Sequence, residues 1–156
     1  MQILLLMAGS DQVFADAGYR YPKNLVEIDG KPLVEHVVAG LRPLLDAGAR
    51  LIACVKADEN QSFHTGMVLR LLVPKATVVD VPGKTDGAAC TALLAIDQLD
   101  PEAPLLIVNG DQVVIADIGA AILDFESRAL DGGVLVFRAV HPRWSYVKVD
   151  GDGLFV

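Results

Sequence analysis

A short apolar run near the beginning of the chain leads into a segment of glycine and lysine residues that could hold phosphate groups. The run covers residues 3–6, Gly9 follows it, and Lys23 and Gly30-Lys31-Pro32 lie further along. An apolar run of this length predicts a buried strand. A glycine-containing loop at the carboxyl end of such a strand is where α/β proteins bind nucleotides and phosphates. Residues 7–33 therefore predict a nucleotide or phosphate site.

The elements that would position this segment alternate between strands and helices. Short apolar runs predict strands at residues 2–7, 50–55, 76–81, 104–108 and 133–138. Helical spacing predicts helices at residues 32–45, at 61–72, from Thr85-Asp86-Gly87 to Leu99, and at 117–129. Pro43 is expected to end or kink the first of these helices. A turn at Asp150-Gly151-Asp152-Gly153 predicts a final hairpin between residues 146–149 and 154–156.

This alternation predicts the fold class. We expect an α/β fold in which helices cover both faces of a mostly parallel, Rossmann-like sheet in three layers, followed by a C-terminal β-hairpin. One domain is expected to cover residues 1–156. We expect it to be truncated at its C-terminus, because the chain stops inside the second strand of the predicted hairpin.

Composition narrows the classes of function. A chain of 156 residues with 53% apolar residues is long enough for one core and is too apolar to be disordered. Its net charge of −7 disfavours binding to nucleic acid or to an anionic membrane. No apolar run approaches the roughly 20 residues of a membrane span, and no basic segment precedes residue 3, so a cytoplasmic protein is expected. Cys54 and Cys90 form no Cys-x-x-Cys motif and are expected to be buried thiols.

Two common phosphate motifs do not fit. Gly83-Lys84-Thr85 would need a glycine five residues earlier to form a P-loop, and Val78 stands there. A dinucleotide fingerprint would need a second glycine two residues after Gly9, where Asp11 stands. The phosphate site predicted above must therefore be of another kind.

The chain resembles the sugar-phosphate nucleotidyltransferases, also called nucleoside-diphosphate-sugar pyrophosphorylases. Their amino-terminal motif is matched by Met7-Ala8-Gly9, Phe14, Ala17-Gly18-Tyr19, Pro22-Lys23, Leu25 and Gly30-Lys31-Pro32. Residues 85–93 resemble the base-recognition segment of that family, and residues 106–112 resemble its metal-binding strand end. Residues 141–148 resemble a capsule- and polysaccharide-linked subgroup similar to the glucose-1-phosphate thymidylyltransferases.

This resemblance implies a GT-A-like fold and a reaction. A nucleoside monophosphate would pass from a nucleoside triphosphate to a sugar 1-phosphate with release of pyrophosphate, supported by Mg²⁺, in nucleotide-sugar and polysaccharide biosynthesis. Lys23 would contact the phosphates as the catalytic cation, and Asp111 would hold the metal. The nucleotide-binding residues would be Ala8, Gly9, Ser10, Gly87 and Ala88.

Each of these residues also has a purely structural interpretation. Gly9 could serve an ordinary tight turn, and Lys23 could be a solvated surface lysine. Asp111 could form an Asx turn, and Gly87 could be the small residue that begins a packed helix. The sequence leaves these alternatives open.

The chain departs from the family pattern in its first loop. Asp11, Gln12 and Val13 stand where the family has glycine, serine or threonine, and arginine. Asp11 would repel phosphates, and Arg20 is a nearby cation that could substitute for the missing arginine. The chain also ends before the part of the family that supplies most of the sugar site. These departures favour an alternative function, a nucleotide or sugar-nucleotide binding module with impaired catalysis. A homo-oligomer is a further prediction.

Overall fold

The computed structural model describes residues 1–142 and 144–155, which fall into two compact units, Met1–Gly119 and Ala120–Val156. The strands are β1 (Gln2–Leu6), β2 (Glu27–Ile28), β3 (Lys31–Pro32), β4 (Arg50–Lys56), β5 (Thr77–Val81) and β6 (Leu105–Asn109). The α-helices are α1 (Gln12–Asp16), α2 (Leu33–Asp46), α3 (Ala57–Phe63), α4 (Thr65–Leu72), α5 (Ala88–Leu93) and α6 (Ile118–Ser127). Short 3₁₀ turns lie at Lys23–Leu25 and Ile96–Gln98. Among the residues described, no helix is long and apolar enough to cross a membrane.

The first unit is built on a four-stranded parallel sheet with the order β5-β4-β1-β6. Ile3, Leu4 and Leu5 on β1 are fully buried, as expected for a strand covered on both faces. The strand order reverses at β1, because the chain first adds strands on one side and later places β6 on the other. Ligands of open α/β sheets bind beyond the carboxyl ends of the strands at such a reversal. The predicted α/β class with a mostly parallel sheet is confirmed.

The register of β1 and β6 brings their carboxyl ends together. Leu6 is paired with Asn109, and the N–H of Gly110 donates to the carbonyl of Leu6 at 2.8 Å. The loops that follow the two strands therefore leave the sheet side by side. Residues about a hundred positions apart in the sequence meet at this edge because of that register.

Helix α2 buries an apolar stripe in the interior of the first unit, as its spacing predicts. Its buried residues are Leu33, Val34, Val37, Val38 and Leu41. The expectation that Pro43 ends this helix is wrong, because α2 continues to Asp46 and Ala47 donates to the Pro43 carbonyl at 3.2 Å. Pro43 removes the hydrogen bond that the carbonyl of Ala39 would accept, and Ala39 is exposed, so water can replace it.

Two predicted helices are shorter or broken. The helix predicted at 61–72 divides into α3 and α4 at His64, which has a left-handed φ of 56°. Asn60 accepts a hydrogen bond from the N–H of Gly66 at 2.8 Å, which replaces a helical bond at the break. The helix predicted to reach Leu99 ends at Leu93 and is followed only by a 3₁₀ turn. Cys54 is buried as expected, whereas Cys90 on α5 is exposed.

The second unit contains fewer regular elements than predicted. Residues 133–138 form no strand, and the apolar side chains from Val134 to Phe137 are exposed. The predicted hairpin is reduced to one antiparallel bridge between Val149 and Phe155 around the expected turn. Arg143 and Val156, which belong to the predicted subgroup motif and the last strand, lie outside the described residues.

The close approach of β1 and β6 predicts that Gly110→Ala destabilises the chain. A Cβ at Gly110 would lie 2.5 Å from Cγ of Met7 and 3.1 Å from the Leu6 carbonyl oxygen. Overpacking of this kind costs about 1–3 kcal/mol of unfolding free energy. Urea denaturation measures that loss.

Gly40→Ala is the matched control, since its Cβ would meet only the Val114 carbonyl oxygen at 3.8 Å. Because Gly40 lies inside α2, alanine there should add about 0.5–1 kcal/mol of stability. Equal effects of the two substitutions would contradict the close packing at Gly110.

Candidate functional site

A cavity of about 780 Å³ opens at the carboxyl ends of β1 and β6. It lies entirely within the first unit and is lined by residues from the loops after β1, β5 and β6. All of the site residues predicted from the sequence line it: Ala8, Gly9, Ser10, Lys23, Gly87, Ala88 and Asp111. The fold therefore gathers three separate sequence segments around one space large enough for a nucleotide-sized ligand.

Lys23 and Asp111 both line this cavity and form an ion pair with each other. Nζ of Lys23 donates to Oδ2 of Asp111 at 2.6 Å. Lys23 belongs to the short 3₁₀ turn after Pro22 and is only 6% exposed, so it is not a solvated surface lysine. The side chain of Asp111 is 38% exposed, so the carboxylate still faces the open space. A buried ammonium group and a partly exposed carboxylate are thus in direct contact in this cavity.

Gly9 lies against the end of the Lys23 side chain. A Cβ at Gly9 would stand 2.7 Å from Nζ of Lys23, closer than any real contact. Gly9 does not have the left-handed φ that would make glycine necessary for a tight turn. A side chain at Gly9 would therefore displace the end of the Lys23 side chain from this position.

Gly87 is required by its conformation rather than by a close contact. Its φ of 136° is one that other residues rarely adopt, and a Cβ there would meet no atom within 4 Å. The carbonyl of Gly87 accepts a hydrogen bond from Oγ1 of Thr91 at 3.1 Å, and Thr91 also contacts Oγ1 of Thr85 at 2.6 Å. These threonines hold the loop before α5, and Ala88 follows it with a methyl side chain that leaves the cavity open.

The structure gives Asp11 a partner that the sequence reasoning missed. Oδ2 of Asp11 accepts a hydrogen bond from Nζ of Lys56, the last residue of β4, and Lys56 also lines the cavity. Lys56 could have been noticed from the sequence, because it directly follows the strand predicted at residues 50–55, whose carboxyl end lies at the same sheet edge. Val13 is 79% exposed and does not line the cavity, and neither does Arg20, the proposed substitute cation.

A cluster of buried polar side chains contacts Lys56 and the backbone that follows β1. Glu59 is 4% exposed, and its Oε2 lies 3.8 Å from Nζ of Lys56. Asn24 donates to Oε1 of Glu59 at 3.3 Å and to the Met7 carbonyl at 3.0 Å, while Thr65 donates to the same Oε1 at 3.0 Å. Asn24 follows Lys23 directly, so this cluster fixes the backbone that carries the cavity lysine.

Burial raises the pKa of Glu59 above its ordinary value of 4.5. The hydrogen bonds from Asn24 and Thr65 act against this shift, the negative charge of Asp11 adds to it, and the positive charge of Lys56 opposes it. Desolvation is the largest of these effects, because a carboxylate loses more by leaving water than it regains from neutral donors.

The chain is similar to several known proteins. It is 26% identical over 118 residues to the bifunctional protein GlmU of Methanocaldococcus jannaschii, a match that covers 76% of this chain and 26% of that protein. The nucleoside-diphosphate-sugar pyrophosphorylase of Vibrio cholerae RC9 matches 97% of this chain and 62% of its own, with 25% identity and a TM-score of 0.73. The manganese complex of Rv0371c from Mycobacterium tuberculosis H37Rv matches 81% of this chain and 59% of its own, with 19% identity and a TM-score of 0.54. No family model matches the sequence.

These matches confirm that the chain resembles the nucleoside-diphosphate-sugar pyrophosphorylases and has their fold. The chain spans 26% of the length of GlmU and 62% of the Vibrio protein. The capsule-linked, thymidylyltransferase-like subgroup stays a prediction.

The burial of Glu59 predicts a pH-dependent stability that Glu59→Gln removes. Because its pKa is raised in the folded chain, the folded state holds this proton more tightly than the unfolded state. The free energy of unfolding should therefore fall as pH rises from 4.5 toward the raised pKa, and the glutamine variant should lack this component. Denaturant titrations of both chains over a pH series measure the difference.

The exposed Glu102→Gln is the matched control for loss of a surface carboxylate. A difference between wild type and Glu59→Gln that stays constant with pH, or that favours wild type as pH rises, would contradict the assignment.

Proposed function

We propose that this cavity binds a nucleoside triphosphate together with a divalent cation and transfers its nucleoside monophosphate to a sugar 1-phosphate. The observation that carries the proposal is that the three matched sequence segments meet at one cavity, where Lys23 and Asp111 are in contact with each other. The similarity to nucleotide-sugar pyrophosphorylases supports this general reaction.

The divalent cation would be held by Asp111. Oδ2 of Asp111 accepts a hydrogen bond from Lys23, and none of the described residues donates a hydrogen bond to Oδ1. Within the described residues, no three His, Cys, Asp or Glu side chains come together as a ready metal cage. Mg²⁺ commonly binds through one or two carboxylates together with substrate phosphates and waters, so a single carboxylate in an open cavity fits it. The manganese complex of a protein with this fold supports a divalent cation, and we propose Mg²⁺.

Charge balance is a second reason to expect a cation with the nucleotide. The cavity is lined by three lysines and three aspartates: Lys23, Lys56, Lys84, Asp11, Asp58 and Asp111. Their charges sum to zero, whereas a triphosphate is multiply negative. A bound divalent cation would supply the missing positive charge and polarise the phosphates.

In the proposed reaction, an oxygen of the sugar phosphate attacks the α-phosphorus and the bond to the β-phosphate breaks, releasing pyrophosphate. Such chemistry relies on positioning and charge neutralisation rather than on a protein nucleophile. Lys23 would neutralise charge on the reacting phosphate, and the backbone N–H groups of Ala8, Gly9 and Ser10 would face the triphosphate. Gly87 and Ala88 would border the base.

A second function is favoured by one observation in the first loop. Val13 is 79% exposed and does not line the cavity, so this position of the first loop places no arginine side chain in the cavity. A chain that binds nucleotides or sugar nucleotides without turnover would follow from that loss.

Nucleotide-sugar or polysaccharide biosynthesis, a cytoplasmic location and a homo-oligomer remain parts of the proposal.

An assay of pyrophosphate release distinguishes the two functions. The chain is incubated with Mg²⁺ or Mn²⁺, each nucleoside triphosphate in turn and a panel of sugar 1-phosphates. Turnover supports the transferase, whereas calorimetric binding of a triphosphate without turnover supports the binding module. If the folded chain neither turns over nor binds any of these compounds, both functions are wrong.

Lys23→Met and Asp111→Asn should each lower this turnover by roughly 10²–10³-fold. The first removes the positive charge that would neutralise the reacting phosphate, and the second removes the carboxylate that would hold the divalent cation. Asp111→Asn should in addition weaken the dependence on divalent cation. The exposed Lys75→Met is the matched control and should leave turnover within about twofold, as expected for a surface lysine away from the cavity. Unchanged activity in both cavity variants would overturn the assignment of these residues.

A further inference from the structure

Three lysines line the cavity, and their surroundings differ. Lys23 is buried and bonded to Asp111 on the side of β6. Lys84 is exposed in the loop after β5. Lys56 ends β4, on the opposite side of β1 from Asp111, and its side chain is 21% exposed. Two of the three lysines are therefore shielded from solvent, Lys23 on one side of the loop that follows β1 and Lys56 on the other.

The ammonium group of Lys56 lies near two carboxyl groups. It contacts Asp11 and lies 3.8 Å from Glu59. Oδ1 of Asp11 and Oε2 of Glu59 are buried and accept no hydrogen bond from a described residue. A lysine ammonium carries three N–H donors, so at least one remains for a group in the cavity.

We propose that Lys56 is a phosphate-binding residue of this cavity and that Asp11 competes with the nucleotide for it. This inference rests on the proposed function, since it assumes that a triphosphate enters the cavity. Lys56 meets the triphosphate on the side of the loop opposite Lys23. Asp11 already accepts a hydrogen bond from the same ammonium, so its carboxylate lowers the affinity for the nucleotide.

The two partners of this ion pair then have opposite effects on binding. Removing the ammonium takes away a charged hydrogen bond to phosphate, which corresponds to roughly a 10- to 100-fold loss of affinity. Removing only the charge of Asp11 releases Lys56 and takes a repelling carboxylate out of the cavity, so affinity rises. A lysine that merely tied the loop in place would behave differently, because loss of either partner would loosen the loop and weaken binding.

Calorimetry with the Mg²⁺ complex of the triphosphate that wild type binds tests this proposal on four chains: wild type, Asp11→Asn, Lys56→Met and the double variant. We expect Asp11→Asn to bind more tightly than wild type and Lys56→Met to bind more weakly. The double variant should bind more weakly than Asp11→Asn, because it lacks the Lys56 ammonium, and at least as tightly as Lys56→Met, because it also lacks the repelling Asp11 carboxylate. The double variant also leaves no unpaired Asp11 carboxylate, so it is informative if Lys56→Met alone does not fold. Lys75→Met, outside the cavity, controls for loss of net charge.

Three results would overturn the proposal. One is a double variant that binds as tightly as Asp11→Asn, and another is an Asp11→Asn chain that binds more weakly than wild type. Failure of wild type to bind any triphosphate would remove the proposed function and this inference together. The first two results leave wild-type binding intact, so they reject the role of Lys56 alone.

Discussion

The contact between Lys23 and Asp111 depends on several separate features of the first unit. It joins residues 88 positions apart, and it exists because β1 and β6 are parallel neighbours that end at the same level. Gly110 allows the two strand ends to approach, and Gly9 leaves room for the lysine. Each of these residues is constrained by the same requirement, which is to bring one ammonium and one carboxylate together beneath an open cavity.

Much of the first unit could be predicted from the sequence, because its strands are continuous apolar runs and α2 has a regular apolar stripe. The order of the strands was not determined by those runs. It follows from the parallel pairing that sends β6 to the far side of β1. The three segments of the site were found as separate motifs, and their meeting at one cavity is a consequence of that order.

Local patterns failed where a side-chain contact decided the backbone. Nothing in the apolar spacing marks His64 as the break between α3 and α4, because the break is stabilised by Asn60. Strands β2 and β3 form an antiparallel pair joined by Asp29-Gly30, a dipeptide typical of two-residue hairpin turns, and both of these residues have positive φ angles. The sequence around Asp11 indicates only repulsion of phosphates, because its partner Lys56 lies 45 residues away in the chain. The apolar residues 133–138 lack a strand because a run of this kind needs a paired neighbour, and none of the described residues provides one.

Nuclear magnetic resonance with Mn²⁺ in place of Mg²⁺ tests most directly whether this sheet edge is a nucleotide–metal site. Mn²⁺ and a nucleoside triphosphate are added to the isotopically labelled chain, and the broadening of each backbone amide signal is measured. We predict strong, nucleotide-dependent broadening at Gly9, Lys23 and Asp111, with little at Arg50, which begins β4 at the opposite edge of the sheet. Broadening centred on Arg50, or none at the cavity residues when the nucleotide is bound, would contradict the account.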